Sequence, residues 1–147
     1  MKMFGHPLHL MLVHFPSALL PMDVVFSISG YYRKDPSFLT AAFFCLVAGV
    51  LAGILAFLTG LFDLLRIPKE KKTATGTALI HGFINTMAVL FFGVFAYKAW
   101  QEYPLINVPP PSAVIIKSIL ILILFAGNYL GGKLIFTHHI GIKKSEV

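Results

Sequence analysis

The chain has 147 residues, of which 57% are hydrophobic and 12% charged, with a formal net charge of +6 and a mean hydropathy of +0.82. A soluble domain carries about 25% charged residues, so this composition argues against a water-soluble enzyme, a disordered chain or a disulfide-stapled secreted domain. The length suits one compact domain over residues 1–147, and a positive excess in so apolar a chain points to anionic lipid headgroups rather than nucleic acid.

The first apolar stretch covers about residues 8–30 and holds one acid, Asp23, expected to make a structural hydrogen bond inside the membrane. Only Lys2 precedes it, histidines stand where a leader would be bland, and no clear A-x-A site follows, so it reads as a spanning helix rather than a cleaved leader. Pro16 and Pro21 predict kinks that free carbonyls near His14. A short link, residues 31–37, contains Arg33, Lys34, Asp35 and Pro36. The second stretch, residues 38–65, is uncharged until Asp63 and holds Cys45, the one cysteine, which reads as core.

A short basic link, residues 66–72 (RIPKEKK), leads to the third stretch, residues 75–99. Residues 101–111 (QEYPLINVPPP) are expected to be extended, in polyproline conformation, before the fourth stretch, residues 112–136. Each stretch reaches the ~20 residues that a bilayer-spanning helix needs. None shows the two-residue alternation of barrel strands, and lipid admits only helices or closed barrels. The expectation is an all-α integral membrane four-helix bundle, with antiparallel neighbours set by the short links. Gly49 with Gly53, and Gly127 with Gly131, give small faces for close helix packing, and a homo-oligomer is compatible with them.

On the side of the N-terminus, here side A, four spans also place the C-terminus. Side A collects Lys2, Arg66, Lys69, Lys71, Lys72, Lys143 and Lys144, with Lys133 nearby; side B carries Arg33 and Lys34, with Lys98 and Lys117 read as close to that surface. The positive-inside rule puts side A in the cytoplasm, giving a multi-pass membrane protein with both termini cytoplasmic. Tyr31, Tyr32, Tyr97, Trp100 and Tyr103 fall at side B, as an interfacial aromatic belt would.

All six histidines fall in the A half: His6, His9, His14, His81, His138 and His139. Counting at ~1.5 Å per residue puts His14 and His81 at equal depth, roughly 9 Å below the A surface. Asn85 shares the His81 face, Asp63 and Thr59 share a face of the second helix, and Asn128 is in the A half of the fourth. Polar groups inside a membrane face the bundle interior and are often functional, so these residues describe a polar pocket in one leaflet. Neutral imidazole suits iron, copper and zinc. Facing each other across an apolar slot, His14 and His81 would ligate haem b, with His9 and His138 as a shallower pair for a second haem, a separate metal or propionate contacts. Asp63, Asn85 or Asn128 would accept the other ring N–H of a ligand.

The opening His6-Pro-Leu-His9-Leu-Met-Leu-Val-His14-Phe-Pro16 resembles the HPLHP-x-LVHFP signature of a bacterial membrane family catalogued as domain of unknown function 2231. Thr59-Gly60-Leu61-Phe62-Asp63 with Ile67-Pro68, Ile80-His81 with Asn85, and Gly131-Gly132-Lys133-Leu134-Ile135 followed by His138 and Gly141 resemble its later motifs, in order. The resemblance implies a four-helix membrane protein, and fusions of some relatives to Rieske-type modules point toward electron transfer. By motif match His6, His9, His14, Asp63, His81 and His138 carry over; His139 stands where relatives commonly have glycine, and Leu10 replaces the usual second proline.

The leading expectation is thus a small b-type cytochrome with one or two haems, acting with a quinone and a redox partner protein rather than as a classical enzyme. In this reading His6, Asp63 and Asn85 support the ligands. The alternatives are a non-haem iron, copper or zinc site on His9, His14, His81, His138 and Asp63, and a non-catalytic membrane subunit. No phosphate loop, serine triad or dinucleotide fingerprint is evident.

Overall fold

A computed structural model describes residues 2–3 and 6–140, with side chains from residue 8 onward. Two short strands, β1 (Lys2–Met3) and β2 (His6–Pro7), pair antiparallel and lead into the helices α1 (Leu8–Leu12), α2 (His14–Arg33), α3 (Pro36–Leu64), α4 (Lys72–Glu102) and α5 (Pro111–Phe136). Taking α1 with α2, these form four spans of 26, 29, 31 and 26 residues, each long and apolar enough to cross a membrane. The expected all-α four-helix membrane bundle is what is seen.

The break between α1 and α2 has a local cause. Pro16 has no N–H for the carbonyl of Leu12, four residues back, and its ring crowds that carbonyl; α1 ends at Leu12. Val13 forms the joint, with its N–H on His9 O at 3.1 Å and its own carbonyl accepting from Ser17 N–H at 3.3 Å. α2 runs through Pro21 without interruption, so only one of the two prolines divides the span.

At the far end Lys34 adopts a left-handed conformation (φ 54°) and donates its N–H to Gly30 O at 3.0 Å. Asp35 then caps α3, its carboxylate accepting from Ser37 N–H at 2.9 Å, while Pro36 begins the helix where no N–H is needed. That hydrogen bond holds the Asp35 carboxyl below the usual carboxylate range, so the cap stays ionised in mildly acidic solution. The link is shorter than the expected 101–111: Gln101 and Glu102 finish α4, residues 103–105 turn, and the extended character lies before α5, with Pro110 at φ −63°, ψ 151°.

α3 packs between α2 and α4, α5 lies against α4, and α5 returns to α2 to close the bundle. The core runs through the middle: Leu20, Leu46, Val50, Ala88, Phe92, Leu120 and Leu124. Gly49 admits Leu20, whose Cδ2 would lie 2.7 Å from an added Cβ, and Gly53 admits Val89 in the same way at 2.8 Å. Outward-facing Phe44, Leu51, Leu58, Phe91, Ile115 and Leu122 are exposed, as lipid-facing residues are.

The expected position of Lys117 near the B surface is corrected. Its side chain is 4% exposed and its Nζ lies 2.8 and 2.9 Å from the two carboxylate oxygens of Asp23, itself 2% exposed. Ser27 Oγ donates to Asp23 at 3.3 Å, and the Phe95 ring lies 6.0 Å from the ammonium. Apolar surroundings favour this turn inward, because a charge in hydrocarbon needs a partner more than it needs the interface.

Candidate functional site

In the A half the helices separate around a cavity of about 1290 Å³. This exceeds the roughly 300–1,000 Å³ typical of small-molecule sites. Its walls include Leu10, Phe57, Leu61, Phe83, Leu124 and Ile135, and its polar lining includes His9, His14, Ser17, Asp63, His81, Asn85 and Asn128.

Two histidines are held there by the same device. His9, on α1, donates from Nδ1 to Ala56 O of α3 at 2.9 Å, and its ring lies over Gly60, where an added Cβ would come within 2.8 Å of Cε1. His81, on α4, donates from Nδ1 to Gly127 O of α5 at 2.7 Å, and its ring lies over Gly131, again 2.8 Å from an added Cβ to Cε1. In each case a ring binds one carbonyl of the neighbouring helix and packs on the glycine four residues further along it. A carbonyl oxygen only accepts, so Nδ1 carries the proton and the neutral ring keeps its lone pair on Nε2. The two rings meet with centroids 6.2 Å apart and planes at 83°.

The residue facing His81 is therefore His9, rather than the His14 that depth counting selects. His14 lies at the exposed start of α2 and lines the cavity. Asn85 donates from Nδ2 to His81 O at 3.0 Å and rests flat on Gly127; its Oδ1 is buried with no hydrogen-bond partner among the described atoms. Asn128 donates to Ser17 Oγ at 2.9 Å, tying α5 to α2. Asp63 lines the cavity on the α3 side. For His9 and His81 the acceptors at Nδ1 are the backbone carbonyls of Ala56 and Gly127, and the Asn85 side-chain amide also lies 3.0 Å from His81 Nδ1.

His138 lies apart from His9, beside a smaller hollow with Glu70, Lys71 and Lys72, and its carbonyl accepts from Lys71 Nζ at 3.1 Å. His139 lines the cavity and adopts φ 51°. That left-handed conformation is one that favours glycine. The side chain of His6 and residues 141–147, with Gly141, lie outside the described residues. Among the described residues no group of three or more His, Cys, Asp or Glu side chains converges to hold a metal ion.

The family described as a predicted membrane protein family, DUF2231, matches residues 5–144. The chain belongs to this family. No curated protein and no solved structure matches it. In this family member, the glycines of the motifs around residues 60 and 131 are histidine platforms as well as packing positions. Ala56, Gly60, Gly127 and Gly131 are thus part of the site; the sequence signal is spacing for Gly127 and Gly131 and the motif resemblance for Gly60, and Ala56 has none.

The platforms predict a selective effect. Gly60→Ala and Gly131→Ala should each lower stability in detergent by about 1–3 kcal/mol, the usual cost of overpacking, and displace the ring from its carbonyl. Gly132→Ala, with nothing within 4 Å of the added Cβ, should change neither. Thermal unfolding and histidine ring ¹⁵N shifts read both effects; equal behaviour of Gly131→Ala and Gly132→Ala would remove the platform role.

Proposed function

We propose that the chain binds haem b through His9 and His81 and takes part in electron transfer at one face of a membrane. The observation that carries this is the matched histidine pair. Both rings have Nδ1 tied to a backbone carbonyl and Nε2 left for a metal, the arrangement that fixes the tautomer and raises the basicity of a ligating imidazole. Two imidazoles bound to one metal at ~2.0–2.1 Å per bond would have centroids at most about 6.4 Å apart, and the observed 6.2 Å lies within that reach.

The donor set and the cavity support haem in particular. A macrocycle brings its own in-plane nitrogens and asks the protein for one or two axial groups. The cavity offers the paired imidazoles of His9 and His81, with His14 and His139 also in its lining, among mainly apolar walls. Haem supplies one-electron exchange at iron when bound. The chain's own part is to ligate, to orient through the carbonyls of Ala56 and Gly127, and to exclude water with Leu61, Phe83 and Leu124. His14, Ser17 and Asn128 line the same space and would bind the polar end of a quinone exchanging electrons there. We place side A at the cytoplasm of a bacterial inner membrane on the charge asymmetry.

Optical spectra of the detergent-purified protein, air-oxidised and dithionite-reduced, test the reading. A sharp reduced α-band with a shifted Soret peak is expected. A featureless visible spectrum from protein made with ample haem would overturn it, and elemental analysis for iron, copper and zinc would then decide the non-haem alternative.

A further inference from the structure

We infer that the A end of the cavity is a carboxylate-recognition site, with Arg66 and Lys71 as its cations, so that an amphipathic ligand stands with its apolar body among the helices and its anionic edge toward side A. This rests on the haem reading above and assigns haem's two propionates to that end. Arg66 and Lys71 line the same cavity as His9 and His81. Arg66 lies six residues beyond Gly60, the platform of His9, in the turn that follows the end of α3 at Leu64. An anionic edge set off from an imidazole-ligated centre toward that turn meets the guanidinium, while the opposite edge meets apolar walls.

The link that carries both cations is ordered. Arg66 N–H donates to Asp63 O at 3.2 Å, Ile67 N–H to Leu64 O at 3.1 Å and Lys71 N–H to Pro68 O at 3.0 Å. Lys71 Nζ is held by His138 O at 3.1 Å, which fixes the ammonium beside the end of α5. A carbonyl leaves the charge of the ammonium unneutralised, and two of its three protons remain to donate. Asp63 also lines the cavity, one turn before Arg66, so among the described residues that line this end the cations are Arg66 and Lys71 and the carboxylate is Asp63. Arg suits a carboxylate by its planar fork and Lys as a point charge.

The test compares haem with its dimethyl ester, in which both propionates are esterified, on the full-length protein in detergent at low salt. The variants are Arg66→Gln, Lys71→Gln and the double variant; glutamine at 71 can still donate to His138 O. The double variant should bind haem about tenfold or more weakly than the wild type, bind the ester within about twofold of the wild type, and lose the salt dependence of haem binding. Equal losses for haem and ester would make the two residues structural and overturn the inference, as would no loss for either. Wild-type protein that binds neither compound overturns the haem reading itself, a result distinct from both.

Discussion

On the haem reading, removing either His9 or His81 by alanine substitution should convert a low-spin haem spectrum into a high-spin one, and removing both should abolish retention. Loss of an outer-shell partner alone costs roughly 10–100-fold in metal affinity, so loss of an axial imidazole should cost at least that. His14→Ala should leave the spectrum low-spin, because the ring opposite His81 is His9. The variants should still fold. Ala56 O and Gly127 O lie inside continuous helices, and each helix ladder provides those carbonyls with a donor of its own. Free imidazole added to His81→Ala should restore the low-spin bands if the defect is ligation alone. Should His14→Ala lose the low-spin signature while His9→Ala keeps it, the pair assigned here is wrong and His14 is the ligand.

The contrast between His9 and His14 shows what the sequence carries and what it does not. Span number, the short links and the charge asymmetry follow from hydropathy, because lipid tolerates little else. Helix ends are less legible: α4 covers Lys72–Glu102 although its apolar run covers only residues 75–99, since a backbone ladder continues into the headgroup layer whatever the side chains. Depth counting assumes one straight helix from residue 8. Pro16 divides that helix at Val13, so the register of His9 and His14 relative to α4 is set by a joint rather than by a 1.5 Å rise. Backbone acceptors have no sequence signature at all, which hid Ala56. Glycines do leave one: Gly127 and Gly131 stand out by spacing, though for helix packing rather than as beds for Asn85 and His81, and Gly60, the bed of His9, stands out only within the motif around Asp63.

The largest stability effect should come from the B half, at the buried pair of Asp23 and Lys117, which lie 94 positions apart in the chain. A single neutralisation, Asp23→Asn or Lys117→Met, leaves the other charge unpaired in an apolar seam and should cost about 3–5 kcal/mol. The double variant Asp23→Leu/Lys117→Met should recover most of that loss, because apolar groups of similar size can replace a buried ion pair at little net cost. The physical role follows from position. α2 and α3, α3 and α4, and α4 and α5 are sequential partners whose packing is favoured by their connections, but α2 and α5 are joined by no link. An ion pair across that seam penalises every arrangement that leaves either charge in lipid, and so selects the closed bundle that holds α5, with Gly127 and Gly131, against the rest of the site. A double-mutant cycle on detergent-solubilised protein, read by thermal or denaturant unfolding, measures the coupling. A strong coupling with partial recovery in the double variant is expected. Strictly additive losses would show that the two charges act independently and that the seam is closed by apolar packing of Leu20, Leu120 and Leu124 alone.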